Sequence, residues 1–376
     1  DGKKMTVEGF KTLTFGVDGN IYTVSGLTAK RSGTNVMDSG AVTVTGKPIV
    51  TDADGNDVTD QFVVSTMSGI LRIKPRPVFQ VSASASKPYD GNPLTANHVR
   101  TFGFIEGEGA TYNVTGSQTL VGESDNTFTY TLKDGTKAEN YDITTDFGKL
   151  TVTNRSDKDK YQITLEPNSG SKMYDGTPMM VEGFKTLTFT VAGHTYTVET
   201  LTVGVAVLHV SDSCTFTVDQ DALDAAVVLD KDGNDVTAQF KLSAADGTAT
   251  ITPRKVKLVS KSAEKPYDGT PLTRHEFDVQ GDGFADGEGV NVTFSGSQTL
   301  VGESDNTFTY QRTGTAEDAD YDISTEFGKL KVTDRSDEDK YKITVTAKSG
   351  SKTYDGTPLT VSGFKNLTFT ENGQTF

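Results

Sequence analysis

Two short acidic runs are the first residues in this chain whose types and spacing suggest chemistry. Asp52, Asp54 and Asn56 stand in a D-x-D-G-N-D run, and Asp230, Asp232 and Asn234 repeat it 178 residues later. Alternating oxygen-bearing side chains look like the opening of a calcium loop. A complete loop of that kind closes with a bidentate Glu at position twelve, and neither run has one. The composition therefore favours a β-turn over a metal site. The second chemistry is a covalent cross-link. Lys87 and Lys265 open two copies of K-P-Y-D-G, and Asn140 and Asp320 precede equivalent late strands. A lysine amine condensing with the Asn carboxamide or the Asp carboxyl would form an isopeptide bond, with loss of ammonia or water. A lysine beside a turn is ordinarily just solvated, so these residues are a candidate pairing only.

Other reactive side chains form no constellation. His98, His194, His209 and His275 occupy non-equivalent places and show no zinc spacing. Cys214 is the single cysteine, which excludes an internal disulfide, and nothing beside it marks an activating base. The glycine-rich stretch Gly103 to Gly109 lacks the Lys-Ser/Thr of a phosphate-binding loop. No acid–base pair stands out, so the expectation is a protein that is not an enzyme and needs no cofactor.

The elements that carry these residues are strands. Thr, Val, Tyr and Phe favour half-buried strands, while Gly, Asp and Asn favour the turns between them. Thr127 to Leu132 and Lys149 to Thr153 alternate polar and apolar residues with a period of two, as do Phe184 to Phe189 and Thr195 to Val198. Ala192-Gly193 reads as a hairpin turn. Gln239 to Leu242, Asp246-Gly247 and Thr248 to Thr252 read as another hairpin. Asp221 to Asp230 admits a short helix, but its counterpart in an earlier copy contains proline and reads as extended, so no helix is assigned.

Repetition is the dominant feature. Gly116 to Tyr130 reads GSQTLVGESDNTFTY, and Gly296 to Tyr310 repeats all 15 residues. Each long period holds two related halves, type A and type B, and K-x-Y-D-G-x-P recurs at Lys87, Lys172, Lys265 and Lys352. The expected domains are a type A repeat over 1–75 without its first strand, type B over 76–155, type A over 156–254, type B over 255–335 and a truncated type A over 336–376. Prolines mark the A-to-B junctions, and short charged runs mark the B-to-A junctions. Six to eight strands are expected per repeat, as a sandwich or a grasp-like sheet. The whole is then all-β, a tandem array of small domains forming an elongated rod. Both chain ends fall inside A repeats, so the sequence reads as an internal fragment.

Composition bounds the function. Only 34% of residues are hydrophobic, which suits several small cores better than one large one. A net charge of −15 argues against nucleic acid, because no phosphate-neutralising surface is evident. No run of about 20 apolar residues exists to cross a bilayer, so no membrane insertion is expected.

The opening K-x-Y-D-G-[TN]-P-[LM], the stretch Gly103 to Gly109 and the closing N-Y-D-I…G-K-L-T-V-T resemble the YDG and MBG repeat domains of bacterial cell-surface adhesins. The D-x-D-G-N-D-V-T-x-Q-F of type A resembles a module that alternates with them in surface proteins of gut Firmicutes. The resemblance covers essentially the whole chain. It implies an extracellular protein, attached to a Gram-positive cell wall through regions outside this sequence and acting as a stalk or adhesin. The alternative is direct, avid binding of a host protein or glycan, such as immunoglobulin or mucin. The family supplies no catalytic residues.

Overall fold

The computed structural model describes residues 1–376 and is built almost entirely of short strands in small sheets. Two compact units emerge. The first comprises Asp1–Tyr161 with Thr190–His194 and Ala238–Phe240, and the second holds the remainder. The main division falls at the B-to-A linker, so each unit contains an A repeat followed by its B repeat.

The two B repeats share one plan of eight strands. In the first, Arg76–Ser82 lies between Tyr141–Asp146, to which it runs parallel, and Val99–Phe102, to which it runs antiparallel. Lys149–Thr153 lies between the parallel Ala85–Pro88 and the antiparallel Gly122–Asp125. Ala110–Val114 and Phe128–Leu132 form a third, two-stranded sheet. The second B repeat reproduces every pairing, with Arg254–Ser260 and Lys329–Thr333 as the central strands. Alternation along Lys149–Thr153 puts Leu150 and Val152 in the core, at 0% and 1% exposure.

The identical block of the repeat is a structural device. Asn126 is fully buried, and its Nδ2 donates to Ala83 O and Ala96 O, both at 2.8 Å. Asn306 does the same to Lys261 O and Arg274 O. Ser82 and Ser260 each donate to the backbone oxygen of that Asn at 2.6 Å. A Cβ on Gly116 or Gly296 would come within 2.4 to 2.7 Å of the same Asn. Gly116 with Asn126, and Gly296 with Asn306, thus occupy a crowded core position in both copies.

The A repeats depart from the sequence reading in four respects. Gln220–Ala225 is a six-residue α-helix, where no helix was assigned. Asp219 caps it by accepting from Asp221 N at 3.0 Å, whereas the shorter, proline-bearing counterpart lies in the strand Thr43–Thr51. Phe240–Ala244 and Gly247–Thr252 follow one another but join different sheets, so the expected hairpin is a crossing between layers. The strand expected over 184–189 begins only at Thr188. The second A repeat carries ten strands, above the six to eight expected.

One core position is mismatched between copies. Gln80 is 1% exposed and neither its Nε2 nor its Oε1 has a partner, whereas Leu258 fills the same place in the second B repeat at 0% exposure. A buried amide without partners costs about 1–3 kcal/mol. Gln80→Leu should therefore stabilise the first B repeat by about that amount, read as slower hydrogen exchange in peptides covering Arg76–Ser82 of the full chain. Unchanged exchange would mean that the amide is satisfied in solution.

Candidate functional site

The recurring K-x-Y-D-G motif folds as a lysine-closed turn. Asp175 Oδ1 accepts from Thr177 N at 2.9 Å, and the Lys172 amine reaches back to the same Oδ1 at 2.8 Å and to Thr177 O at 2.6 Å. Lys87 closes on Asp90 and Asn92 O, and Lys265 on Asp268 and Thr270 O, in the same way. The lysine beside them, then the threonine bonds, hold the Asp175 and Asp268 carboxyls down to about 2. In two copies the tyrosine of the motif points inward, Tyr89 and Tyr174 being 2% and 1% exposed.

Tyr174 leads to the most heavily connected polar cluster, at the A-to-B junction of the second unit. Its hydroxyl donates to Glu288 Oε1 at 2.9 Å, and Tyr321 donates to Glu288 Oε2 at 2.5 Å. Burial and the adjacent Glu288 carboxylate raise both phenols, Tyr321 to about 12, so both stay donors. Arg254 ties the backbone together, donating to Tyr174 O at 3.1 Å and Gly283 O at 2.9 Å. Beside the ring of Tyr174, His209 Nδ1 meets Asp320 Oδ2 at 2.7 Å, and Val210 N donates to Asp320 Oδ1 at 2.8 Å. Asp320 is fully buried. The hydrogen bond to Asp320 raises His209 against the opposing effect of burial.

The first unit uses the same junction with different chemistry. Asn140 Nδ2 donates to Asn35 Oδ1, and Val36 N donates to Asn140 Oδ1, both at 2.9 Å. An Asn–Asn pair thus stands where the second unit has His–Asp, so at this place only the second junction carries an ionisable pair.

The B-to-A linkers carry a clamp that sequence reasoning read only as charged and short. Arg155 donates to Tyr89 O at 2.9 Å and lies over the Tyr161 ring at 4.1 Å. Arg335 repeats this with Tyr267 O at 3.0 Å and Tyr341 at 4.2 Å. The signal was an arginine followed six residues later by tyrosine, present in both linkers.

The residues singled out from sequence are placed otherwise. Lys87 and Asn140 are engaged by different partners, as are Lys265 and Asp320, and no hydrogen bond or ion pair joins either candidate cross-link. Asp52 accepts from Asp54 N and Asn56 N at 3.0 and 2.8 Å, and Asp230 accepts from Asp232 N and Asn234 N, both at 2.9 Å. Those carboxylates thus close Asx-type turns, and no group of three or more His, Cys, Asp or Glu side chains is placed to hold a metal. Cys214 is half-buried and unbridged in the strand Cys214–Phe216. No helix is long and apolar enough to cross a membrane. One exposed aromatic pair was not foreseen. Phe79 and Phe102 face each other across neighbouring strands at 57% and 62% exposure, where the second B repeat has Lys257 and Gln280. No protein-family model and no curated protein matches the chain.

What the junction does chemically is hold two repeats together, and two measurements probe it. Glu288→Leu strips both phenols of their acceptor and should destabilise the second unit by about 1–3 kcal/mol in urea unfolding, with Glu288→Gln intermediate. His209, being raised above the ordinary imidazole value of about 6.5, contributes stability that is fully present below that value. The contribution is lost as pH rises through the raised one. The stability advantage of wild type over His209→Asn should therefore shrink between acidic and mildly alkaline pH. A pH-independent difference would show that the pair does not titrate.

Proposed function

We propose that this chain is a non-catalytic repeat region of an extracellular bacterial surface protein, a stalk of the YDG and MBG type in which the A–B pair is the mechanical unit. The observation that carries this reading is the A-to-B junction. Buried Tyr174, Val181, Ile251, Val256, Leu258 and Tyr321 belong to one continuous core that crosses the repeat boundary. A core of that kind fixes the two repeats of a pair against each other, as a spacer requires. The repeated Lys, Asp and Gly of the motif serve turns, and Tyr89, Tyr174, Asn126 and Asn306 serve core positions. Small-angle scattering of the full chain tests the stalk. An extended particle much longer than a compact 376-residue protein is expected, and a compact particle would overturn the reading.

The exposed Phe79–Phe102 pair favours a second reading, in which the first B repeat contacts a host protein or glycan. Exposed aromatic residues are enriched at protein interfaces. Saturable binding to immobilised immunoglobulin, mucin or a glycan array, lost in Phe79→Ser/Phe102→Ser, would support it. Binding unaffected by that change would move the contact elsewhere.

A further inference from the structure

The sheet that carries Phe79 and Phe102 has a charged flank on each side. Across its three strands, one row holds Thr144, Phe79 and Phe102, and the next holds Asp146, Val81 and Arg100. Val78, Gln80 and Ser82 are buried on the inner side of Arg76–Ser82, so Phe79, Val81 and their row neighbours form the outer face.

The second B repeat has the same face without the aromatics. Lys257 and Gln280 stand at the places of Phe79 and Phe102, and Asp278 stands at the place of Arg100. Each carboxylate there has a cation. Glu326, the counterpart of Asp146, pairs with Lys257, and Asp278 pairs with Lys261 at 3.2 Å. The face is open in that unit too, with the Lys257 and Glu326 side chains 42% and 57% exposed, so its exposure belongs to the fold of the B repeat.

Both ion pairs are lost in the first B repeat. Phe79 takes the cation away from Asp146, and Ala83 stands where Lys261 reaches its carboxylate. Asp146 accepts from Phe147 N at 2.9 Å and meets no cation, and Arg100 meets no carboxylate. Two strand spacings, about 10 Å, separate the backbones of Asp146 and Arg100. The face therefore presents two exposed rings, with an unpaired anion on one flank and an unpaired cation on the other.

That arrangement is self-complementary. A two-fold axis along Arg76–Ser82, midway between two facing copies, lays Tyr141–Asp146 of each over Val99–Phe102 of the other. Asp146 then meets Arg100 across the contact twice, Phe79 meets its own equivalent, and Phe102 packs over Thr144. Packed sheets lie about 10 Å apart with strands within about 30°, a gap that an arginine and an aspartate side chain span together. The second B repeat does not fit this arrangement, because Asp278 would meet Glu326 there. A neutral sugar would answer the two rings but neither charge.

We propose that this face of the first B repeat docks on the same face of a second copy of this chain, in an isologous contact. Burial of Phe79 and Phe102 supplies the attraction, and the crossed Arg100–Asp146 pairs set the register. The three strands, of seven, four and six residues, present roughly 250 Å² on each side, against about 800 Å² per partner in a standard stable complex. The contact is accordingly weak and reversible.

Sedimentation velocity of the full chain over a series reaching about 500 µM tests this, with dimers expected to build up between about 50 and 500 µM. Phe79→Lys/Phe102→Gln, Arg100→Asp and Asp146→Arg should each weaken dimerisation at least about tenfold. The first two changes install residues that the second B repeat holds at the same places, so the fold accepts them. Mixing Arg100→Asp chains with Asp146→Arg chains should restore dimers, because both crossed pairs are then of opposite sign, although each variant alone sets like charges together. A wild-type chain that stays monomeric over the whole range overturns the proposal, and a host protein or glycan bound by that monomer would take the face instead. Association that Phe79→Lys/Phe102→Gln leaves intact overturns it as well, and so do mixed charge variants that stay apart.

Discussion

The A-to-B core is the constraint on which the arrangement rests. Only Pro253 separates the last strand of the second A repeat from the first strand of its B repeat. With so short a connection the two repeats cannot be independent, and their apolar faces close over one another. Tyr174 and Tyr321 are then buried, with Glu288 half-buried between them. There an unpaired hydroxyl or carboxylate would be costly, so each must find its partner within the cluster. Arg254 serves the same end for the backbone, satisfying carbonyls on both sides of the boundary. The unit of structure is thus the long A–B period of the sequence, larger than either half.

How far this was legible follows from what each signal encodes. Period-two alternation encodes one buried face, so Lys149–Thr153 and Phe128–Leu132 were readable as strands. It does not encode which strand lies alongside. The parallel pairing of Arg76–Ser82 with Tyr141–Asp146 therefore emerged only from the structure, and so did the separation of Phe240–Ala244 from Gly247–Thr252 into different sheets. The helix at Gln220–Ala225 turned on one capping aspartate, a weaker signal than the proline in its counterpart.

The polar junction was less legible still. His209 and Asp320 are 111 residues apart and lie in repeats of different type, so no local pattern joins them. Lys87 has Lys265 as its counterpart, whereas Asn140 is replaced by Asp320. In the structure Lys87 closes a turn and Asn140 holds a junction, two separate local tasks. The lysine of K-x-Y-D-G was the more informative residue than its position suggested, because its amine reaches the very carboxylate and carbonyl that define the turn.

The direction of the strands near each end of a repeat has a mechanical consequence. In both B repeats the two opening strands run parallel to the two closing ones, and in the second A repeat Gly170–Met173 runs parallel to the closing strand. Tension applied through the linkers pulls the start of one strand against the end of its parallel neighbour. The ladder between them is then loaded in shear, with its bonds stretched together, and cannot open one bond at a time as a hairpin pulled from its ends does. Resistance to extension is thereby built into the pairing pattern of both B repeats and of the second A repeat, whatever the chemistry at their surfaces.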